Sequence, residues 1–146
     1  MKAIFEEGIA TGQATFEAAA PSWEQWDDAH FGGLVAEDRG EVLGWTALTP
    51  YSSRPCYAGV AEESVYVAAR ARGRGLGRAL LRGLIDESER SGIWTLLAGV
   101  FPENRASVTL HLGCGFRAVG MYERIGRLNG NWRDVLLLER RSEVIR

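Results

Sequence analysis

The chain has 146 residues, enough for one domain with a single well-packed core and too few for two domains of ordinary size. Hydrophobic residues make up 46% of the chain and charged residues 25%, which excludes disorder as its main state. The net charge of −2 gives no overall field for nucleic acid or an anionic membrane, so we expect neither as a partner. We therefore predict one domain over residues 1–146.

Cysteine usage and the N-terminus indicate where the protein works. Only two cysteines occur, Cys56 and Cys114, and no Cys/His spacing resembles that of a zinc site. The N-terminus lacks the apolar segment of a signal peptide, and no run of about 18 apolar residues is found. These observations favour a reduced compartment and predict a cytoplasmic protein without a bound metal.

The first third of the chain predicts a helix and a hairpin. Residues 19–31 begin with Pro21-Ser22, a suitable N-cap region, and carry tryptophans at helical spacing, which predicts a short amphipathic helix. Residues 33–48 place two apolar runs on either side of a polar turn containing Gly40. That pattern predicts an antiparallel hairpin.

The rest of the chain alternates strands and helices. A strand is predicted at 61–69, where Val65 and Val67 share one face while Glu62 and Tyr66 share the other. The elements predicted after it are a leucine-striped helix from Leu76 to Ser91-Gly92, a strand at 93–101, a short helix at 106–112 and a final strand at 132–139. The predicted order is a hairpin followed by β-α-β-α-β.

A segment rich in glycine and arginine, Arg72-Gly73-Arg74-Gly75-Leu76-Gly77-Arg78, joins the predicted strand to the leucine-striped helix. Glycines allow close backbone approach, and the free N–H groups at a helix N-terminus favour a pyrophosphate. Taken alone, the glycines fit a plain helix start with solvated arginines equally well. The segment lacks the lysine and hydroxyl of a P-loop, and its GxGxG spacing is not the GxGxxG of dinucleotide-binding enzymes. A nucleoside triphosphate or a nicotinamide cofactor is therefore not expected.

Two motifs resemble those of a known enzyme family. Residues 72–77 fit the [QR]xxGx[GA] signature of the GNAT acetyltransferase superfamily, and residues 104–116 read N-x-x-S-x-x-L-H-x-x-x-G-F, as in its phosphinothricin and methionine sulfoximine N-acetyltransferase branch. Further similar stretches are 8–16, 22–26, 62–67 and 130–135. The resemblance implies an α/β (α+β) fold with a central mixed, mostly antiparallel sheet flanked by helices. It also implies acetyl-CoA as co-substrate.

The resemblance suggests two catalytic residues. Glu62 matches the family's general base, which acts through water, and strand alternation predicts that its neighbour Glu63 points away. His111 matches a histidine near the reacting centre that helps proton transfer. An exposed carboxylate and a partly buried, hydrogen-bonded histidine are the alternatives without a function.

Further site residues follow from the same resemblance. The strand backbone at Val65 and Val67 would pair with the pantetheine arm of the co-substrate. The predicted acetyl-CoA-binding residues are Val65, Tyr66, Val67, Arg72, Gly73, Arg74, Gly75, Gly77, Arg78, Asn104 and Ser107.

For the acceptor, residues 51–57 match a family loop in which Arg54 would clamp the carboxylate of an amino acid. Phe16 and Tyr57 complete the predicted substrate site, with a solvated arginine and a core aromatic as the alternatives. Arg127-Leu128 stands where the branch usually has a tyrosine-lysine pair, which leaves the preferred acceptor open.

The beginning of the chain departs from the branch. Residues 1–5 resemble the middle of the family's first helix, which implies that the family's first strand is missing from this sequence. Either the true start lies upstream of Met1, or the domain tolerates a bare sheet edge. Because a bare sheet edge invites pairing with another chain, and because of the resemblance, we expect a homodimer.

The activity expected from the resemblance is direct transfer of an acetyl group from acetyl-CoA to the α-amino group of a small amino acid or analogue, such as phosphinothricin or methionine sulfoximine. A protein or peptide N-acetyltransferase and a non-catalytic acyl-CoA-binding domain are the alternatives.

Overall fold

Four α-helices and six strands make up the protein, which a computed structural model describes over residues 1–146. In chain order they are α1 (Lys2–Thr11), α2 (Trp23–Ala29), β1 (Phe31–Asp38), β2 (Glu41–Pro50), β3 (Val60–Val67), α3 (Leu76–Arg90), β4 (Thr95–Val100), α4 (Arg105–Gly113), β5 (Arg117–Leu128) and β6 (Asn131–Arg141). The strands form one sheet in the order β1-β2-β3-β4-β6-β5, in which only β3 and β4 pair in parallel. This mixed, mostly antiparallel sheet confirms the predicted fold class. The helix α1 precedes all the strands in the chain.

Local sequence signals account for most element boundaries. The Ser22 hydroxyl accepts a hydrogen bond from the Gln25 backbone N–H while the Gln25 side chain accepts one from the Ser22 N–H, a capping box that starts α2. Arg39 and Gly40 both have positive φ and form the tight turn between β1 and β2. The predicted helix and hairpin are therefore confirmed, with boundaries shifted by a few residues.

The strand β5 corrects the predicted element order, because the sequence analysis places no strand between α4 and the final strand. β5 forms one edge of the sheet and nearly all of its side chains are exposed, so its sequence lacks a buried apolar face. Asn129 and Gly130, with φ of 51° and 80°, make the two-residue turn into β6. This Asn-Gly turn is the hairpin signal that could have revealed the strand.

The two faces of the sheet carry separate apolar clusters. Leu81 and Leu84 of α3 are fully buried against Leu96 of β4 and Leu138 of β6 on one face. On the other face, α1 and α2 cover β2 and β3. The members of that second cluster are Ile4, Trp45, Ala47, Ala68 and Ala71. No helix in the structure combines the length and the apolar character needed to cross a membrane.

The parallel ladder between β3 and β4 is short, and this shortness leaves a gap in the sheet. It contains three residue pairs and ends at Glu62 opposite Leu97. Beyond that point β3 stays paired with β2 as far as Val67, and β4 stays paired with β6 as far as Val100. The sheet therefore opens between β3 and β4, and backbone N–H and C=O groups along this β3–β4 opening lack a strand partner.

Candidate active site

A cleft lies where the glycine-rich loop meets α3. Gly73 and Gly75 have φ of +77° and +78°, a conformation that a side chain would strain, and open space surrounds both. Gly75 is the N-cap of α3 and no side chain caps this helix, so N–H groups of its first turn are free for a ligand. This loop cleft has a volume of about 480 Å³. Its walls are Thr11, Gln13, Ala14, Val65, Val67, Arg72, Gly73, Gly75, Gly77, Arg78, Asn104, Ala106, Ser107 and Leu110.

The arginines of the loop are held by backbone carbonyl groups. Arg72 Nε donates to the Val67 carbonyl at 3.3 Å, and Arg78 Nη2 donates to the Gly113 carbonyl at 3.2 Å. Arg74 Nη2 donates in the same way to the Arg70 carbonyl at 3.0 Å. Since none of these three guanidinium groups forms an ion pair with a carboxylate, the charge around the loop cleft is positive and suits an anionic ligand.

A small cavity of about 90 Å³ occupies the β3–β4 opening, and we call it the central cavity. Asn104 braces one of its walls, because its Oδ1 accepts from the Ser107 N–H at 3.2 Å and its Nδ2 donates to the Gln13 carbonyl at 3.1 Å. These two bonds cap α4 and tie it to the segment after α1. The walls of the central cavity are Ala14, Glu63, Ser64, Val65, Tyr66, Gly99, Val100, Asn104, Ser107 and His111.

On the far side of the opening lies a larger cleft of about 560 Å³, the glutamate cleft. Glu17, Glu62 and Glu63 border it, and no lysine or arginine does, so it favours a cationic ligand group. Glu62 is exposed there and makes no hydrogen bond to another side chain. The remaining wall residues are Ala14, Thr15, Phe16, Ser64, Tyr66, Leu97, Gly99, Phe101, Tyr122, Ile125, Gly126, Val135 and Leu137.

A buried ionisable pair lies beside the opening. Glu63 and His111 have side chains only 2% exposed, and Glu63 Oε1 lies 2.6 Å from His111 Nε2. His111 Nδ1 lies 2.6 Å from the Ser107 carbonyl oxygen. Burial opposes a charge on His111, but the bond and charge of Glu63, together with the Ser107 carbonyl, outweigh it and raise the histidine pKa.

Tyr66 borders both the central cavity and the glutamate cleft. Burial raises the pKa of its phenol to about 12, and the negative charges of Glu63 and Glu17 act in the same direction. The phenol therefore stays protonated at neutral pH, and its hydroxyl donates to the Ala14 carbonyl at 3.5 Å.

The three spaces are contiguous. The central cavity shares Val65, Asn104 and Ser107 with the loop cleft, and it shares Glu63 and Tyr66 with the glutamate cleft. One groove thus runs from a positively charged anion site, through an opening lined by unpaired strand backbone, to a pocket with three carboxylates. Such a groove can hold a long phosphorylated molecule at one end and an amine at the other.

Comparison with known proteins identifies the family. A family model described as the acetyltransferase (GNAT) family matches residues 4–116. The chain belongs to the GNAT acetyltransferase family.

Relatives of this acetyltransferase carry the names of amino-acid N-acetyltransferases. It is 38% identical over 147 residues to a phosphinothricin N-acetyltransferase of Alcaligenes faecalis, covering 94% of this chain and 74% of that protein. It is 36% identical over 106 residues to an L-methionine sulfoximine/L-methionine sulfone acetyltransferase of Salmonella typhimurium, covering 73% of this chain and 62% of that protein. A crystal structure of a GNAT superfamily phosphinothricin acetyltransferase from Sinorhizobium meliloti in complex with acetyl-CoA superposes with a TM-score of 0.85, at 26% identity, covering 99% and 87% of the two chains.

Most residues predicted to bind acetyl-CoA line the groove of this acetyltransferase, and acetyl-CoA, the family's co-substrate, fits it. The free N–H groups at the start of α3 suit the pyrophosphate, while the unpaired β3 backbone suits the amide groups of the pantetheine arm. Tyr66 borders the central cavity, whereas Arg74 is the one predicted residue outside the walls of both spaces. The others on these walls are Val65, Val67, Arg72, Gly73, Gly75, Gly77, Arg78, Asn104 and Ser107.

The residues predicted for catalysis and for the acceptor divide into two groups. Glu62 and Phe16 border the glutamate cleft, and His111 borders the central cavity. Arg54 and Tyr57 lie outside the walls of the glutamate cleft, where the Arg54 guanidinium is 5.5 Å from the centre of the Tyr57 ring. No residue of the loop after β2 is among the walls of this cleft, and the contact of Arg54 with an acceptor carboxylate stays a prediction.

Sequence reasoning missed other wall residues. Glu63 faces the opposite side of β3 from Glu62, as alternation predicts. It does not point away from the site, however, because its buried side chain contacts His111 and borders the glutamate cleft. Tyr122 and Ile125 belong to β5, the strand that the sequence analysis did not predict. For Glu63 the only available signal was a second carboxylate beside the predicted base.

Proposed function

We propose that this acetyltransferase moves the acetyl group of acetyl-CoA directly to the α-amino group of a small amino acid or analogue of the phosphinothricin or methionine sulfoximine type. The observation that carries the proposal is the continuous groove, in which the loop cleft and the glutamate cleft meet at the β3–β4 opening. The names of the two curated relatives support an acceptor of this type.

Each end of the groove has a distinct task in this proposal. Bound acetyl-CoA supplies an activated acetyl thioester. Residues 72–78 and the first turn of α3 hold its pyrophosphate, and the backbone of Val65 and Val67 orients its pantetheine arm at the opening. The carboxylates of the glutamate cleft attract the ammonium group of the acceptor and hold it next to the opening.

Glu62 is the proposed general base. Its carboxylate is exposed, free of side-chain partners and on the wall of the glutamate cleft, so a water molecule can carry a proton to it from the acceptor ammonium. Loss of that proton frees the nitrogen lone pair for attack on the acetyl carbon. The N–C bond forms as the C–S bond breaks, and the surplus proton of the newly acylated nitrogen passes through water to the leaving thiolate, while the first proton returns from Glu62 to solvent.

The test is acetyl-CoA-dependent release of free thiol with a panel of amines, combined with mass spectrometry of the products. Phosphinothricin, methionine sulfoximine and methionine sulfone should each gain one acetyl group on nitrogen, whereas their des-amino analogues should release no thiol. Acetylation of peptide N-termini alone would favour a protein N-acetyltransferase. Binding of acetyl-CoA without turnover of any amine would indicate a non-catalytic acyl-CoA-binding domain.

We also infer that the enzyme forms a homodimer. β1 and β5 leave a free edge at each side of the sheet, and Val119, Met121 and Tyr122 on β5 are 46–49% exposed. Sedimentation equilibrium at micromolar concentration should give twice the chain mass, and a compact monomer would refute this inference.

A cytoplasmic location is part of the same proposal. Both cysteines are free thiols, and Cys56 is exposed, which suits a reducing compartment. Fractionation of cells that express the native gene checks this location. The protein should be found in the cytoplasmic fraction.

A further inference from the structure

The hydrogen bonds of Glu63 and His111 fix how many protons this buried pair holds. The Ser107 carbonyl can only accept a hydrogen bond, so the 2.6 Å contact requires a proton on His111 Nδ1. The 2.6 Å contact between Nε2 and Glu63 Oε1 contains one more proton. With that proton on either partner the pair is neutral overall, because it is an imidazolium with a carboxylate or an imidazole with a carboxylic acid.

These hydrogen bonds leave neither ring nitrogen of His111 free. Nδ1 is engaged by the Ser107 carbonyl and Nε2 by the Glu63 carboxyl group. The side chain is 2% exposed, and its ring centroid lies 5.1 Å from that of Phe116 in an edge-to-face arrangement. The histidine therefore cannot exchange a proton directly with a molecule in the groove while these bonds persist. Any influence on the reaction must pass through Glu63.

Glu63, in contrast, has one carboxylate oxygen without a hydrogen-bond donor. Its Oε2 is buried and has no hydrogen-bond partner, although Oε1 is bound to His111. A buried carboxylate oxygen without a partner is costly, and a ligand that supplies the missing donor is one explanation for its presence. Glu63 is also the first residue of β3 beyond the end of the β3–β4 ladder, and it borders both the central cavity and the glutamate cleft.

We propose that Glu63 is a second carboxylate that contacts the acceptor, with its Oε2 accepting an N–H of the acceptor's amino group while His111 holds Oε1 as a positioning residue. The inference rests on the proposed function and adds a residue to it. Glu62 and Glu63 then divide the work. The exposed Glu62 takes up a proton through water, whereas the buried and neutralised Glu63 orients the nitrogen towards the opening.

The charges around Glu63 are consistent with this division. Glu17 and Glu62 border the same cleft, and Tyr66 presents a protonated phenol, so an entering ammonium group meets acceptors and no competing cation. Because the pair with His111 is neutral, Glu63 adds little repulsion to the two exposed carboxylates. The ammonium group is thus attracted by Glu17 and Glu62 and held by the remaining oxygen of Glu63.

Calorimetry on the CoA-bound protein tests the contact, with phosphinothricin and its des-amino analogue as the two ligands. Glu63→Gln keeps the size of the side chain and removes the carboxylate. We expect it to weaken phosphinothricin binding by about 10-fold or more, to leave the des-amino analogue within about twofold, and to leave CoA affinity unchanged. Glu87→Gln, which removes a partly exposed carboxylate of α3 that forms an ion pair with Arg90, is the matched control and should change none of the three affinities. Equal effects on both ligands, or no effect, would overturn the inference.

A measurement on the wild type keeps the test decisive if the variant does not fold. The ¹⁵N resonances of the His111 ring should show a proton on Nδ1, and the Nε2 resonance should shift when phosphinothricin binds but not when the des-amino analogue does. An Nε2 resonance indifferent to both ligands would contradict the contact. Acetyl transfer that survives Glu63→Gln unchanged would overturn only this inference, whereas wild-type protein that neither binds nor acetylates any amine would overturn the proposed function as well.

Discussion

The loop cleft and the glutamate cleft are built in different ways. The loop cleft takes its glycines, arginines and helix N-terminus from seven consecutive residues, 72–78. The glutamate cleft collects its walls from β3, β4, β5, β6 and the segment after α1. One end of the groove therefore depends on local backbone conformation, and the other depends on long-range packing. Changes at the two ends should separate co-substrate binding from acceptor chemistry.

The largest expected effect is at the loop cleft. Gly75→Asp adds strain at φ +78° and a carboxylate where the pyrophosphate binds, so we expect CoA affinity to fall by about 100-fold or more in calorimetry. Gly40→Asp is the control, because Gly40 has φ +83° and open space but lies in the β1–β2 turn. Should CoA bind Gly75→Asp as tightly as it binds Gly40→Asp, the loop is not the pyrophosphate site.

At the acceptor end, Glu62→Gln removes the proposed base while preserving the shape of the side chain. We expect kcat to fall by about 100-fold and the dissociation constant for acetyl-CoA to stay unchanged, because Glu62 borders only the glutamate cleft. Steady-state kinetics beside equilibrium binding checks both values. A loss of acetyl-CoA affinity equal to the loss of kcat would show that the two ends are not separable.

The pair of Glu63 and His111, which lies between the two ends of the groove, should contribute to the stability of the fold. His111→Gln leaves Glu63 buried with a weaker partner, and we expect the free energy of unfolding to fall by about 3 kcal/mol in urea titrations. The exposed substitution Lys2→Gln, which breaks only a surface pair with Glu6, should change it by less than about 0.5 kcal/mol. Similar values for the two variants would mean that the pair does not support the fold.

The same pair predicts a direction of pH dependence. The folded-state pKa of His111 lies above its ordinary value of 6.5, so the folded protein binds the proton more tightly than the unfolded chain does. The stabilisation is complete below the unfolded pKa and is lost as the pH rises through the folded one. Urea titrations at about pH 6 and about pH 9 should show the wild type losing more stability than His111→Gln. An equal loss in both would contradict the assigned pair.

The smallest expected effect sharpens the role of β5. A Cβ at Gly126 would come within 2.7 Å of the Phe16 ring, so Gly126→Ala must displace that ring from the wall of the glutamate cleft. We expect KM for the acceptor to rise by about 3-fold to 10-fold with KM for acetyl-CoA unchanged. Gly120→Ala, in the same strand but with nothing within 4 Å of the added atom, should alter neither. Identical kinetics for the two variants would remove Phe16 from the acceptor site.

The difference between the two ends also explains what the sequence could predict. The Ser22 cap, the Gly40 turn and the leucine stripe of α3 act within a few residues of chain, and each predicted its element. β5 escaped prediction because an exposed edge strand carries no buried face to set an alternating pattern. Its turn at Asn129-Gly130 was the one local signal.

The same contrast between local signals and tertiary packing applies to the residues of the candidate site. The loop residues were predictable because the glycines, the arginines and the start of α3 are neighbours in sequence. Glu63 and His111 lie 48 positions apart, and their bond depends on how α4 is laid against β3. Arg54 was assigned to the acceptor by resemblance alone, and its loop supplies no wall of the glutamate cleft. Contacts of this kind are decided by tertiary packing, which local patterns do not encode.

Co-substrate and acceptor should meet at the β3–β4 opening. A crystal structure of the complex with CoA and phosphinothricin can show whether they do. The pyrophosphate should lie on the first turn of α3, the thiol in the opening, and the acceptor nitrogen within hydrogen-bond distance of Glu63 or of a water bound to Glu62. An acceptor bound outside the glutamate cleft, or a thiol directed away from the opening, would contradict the account.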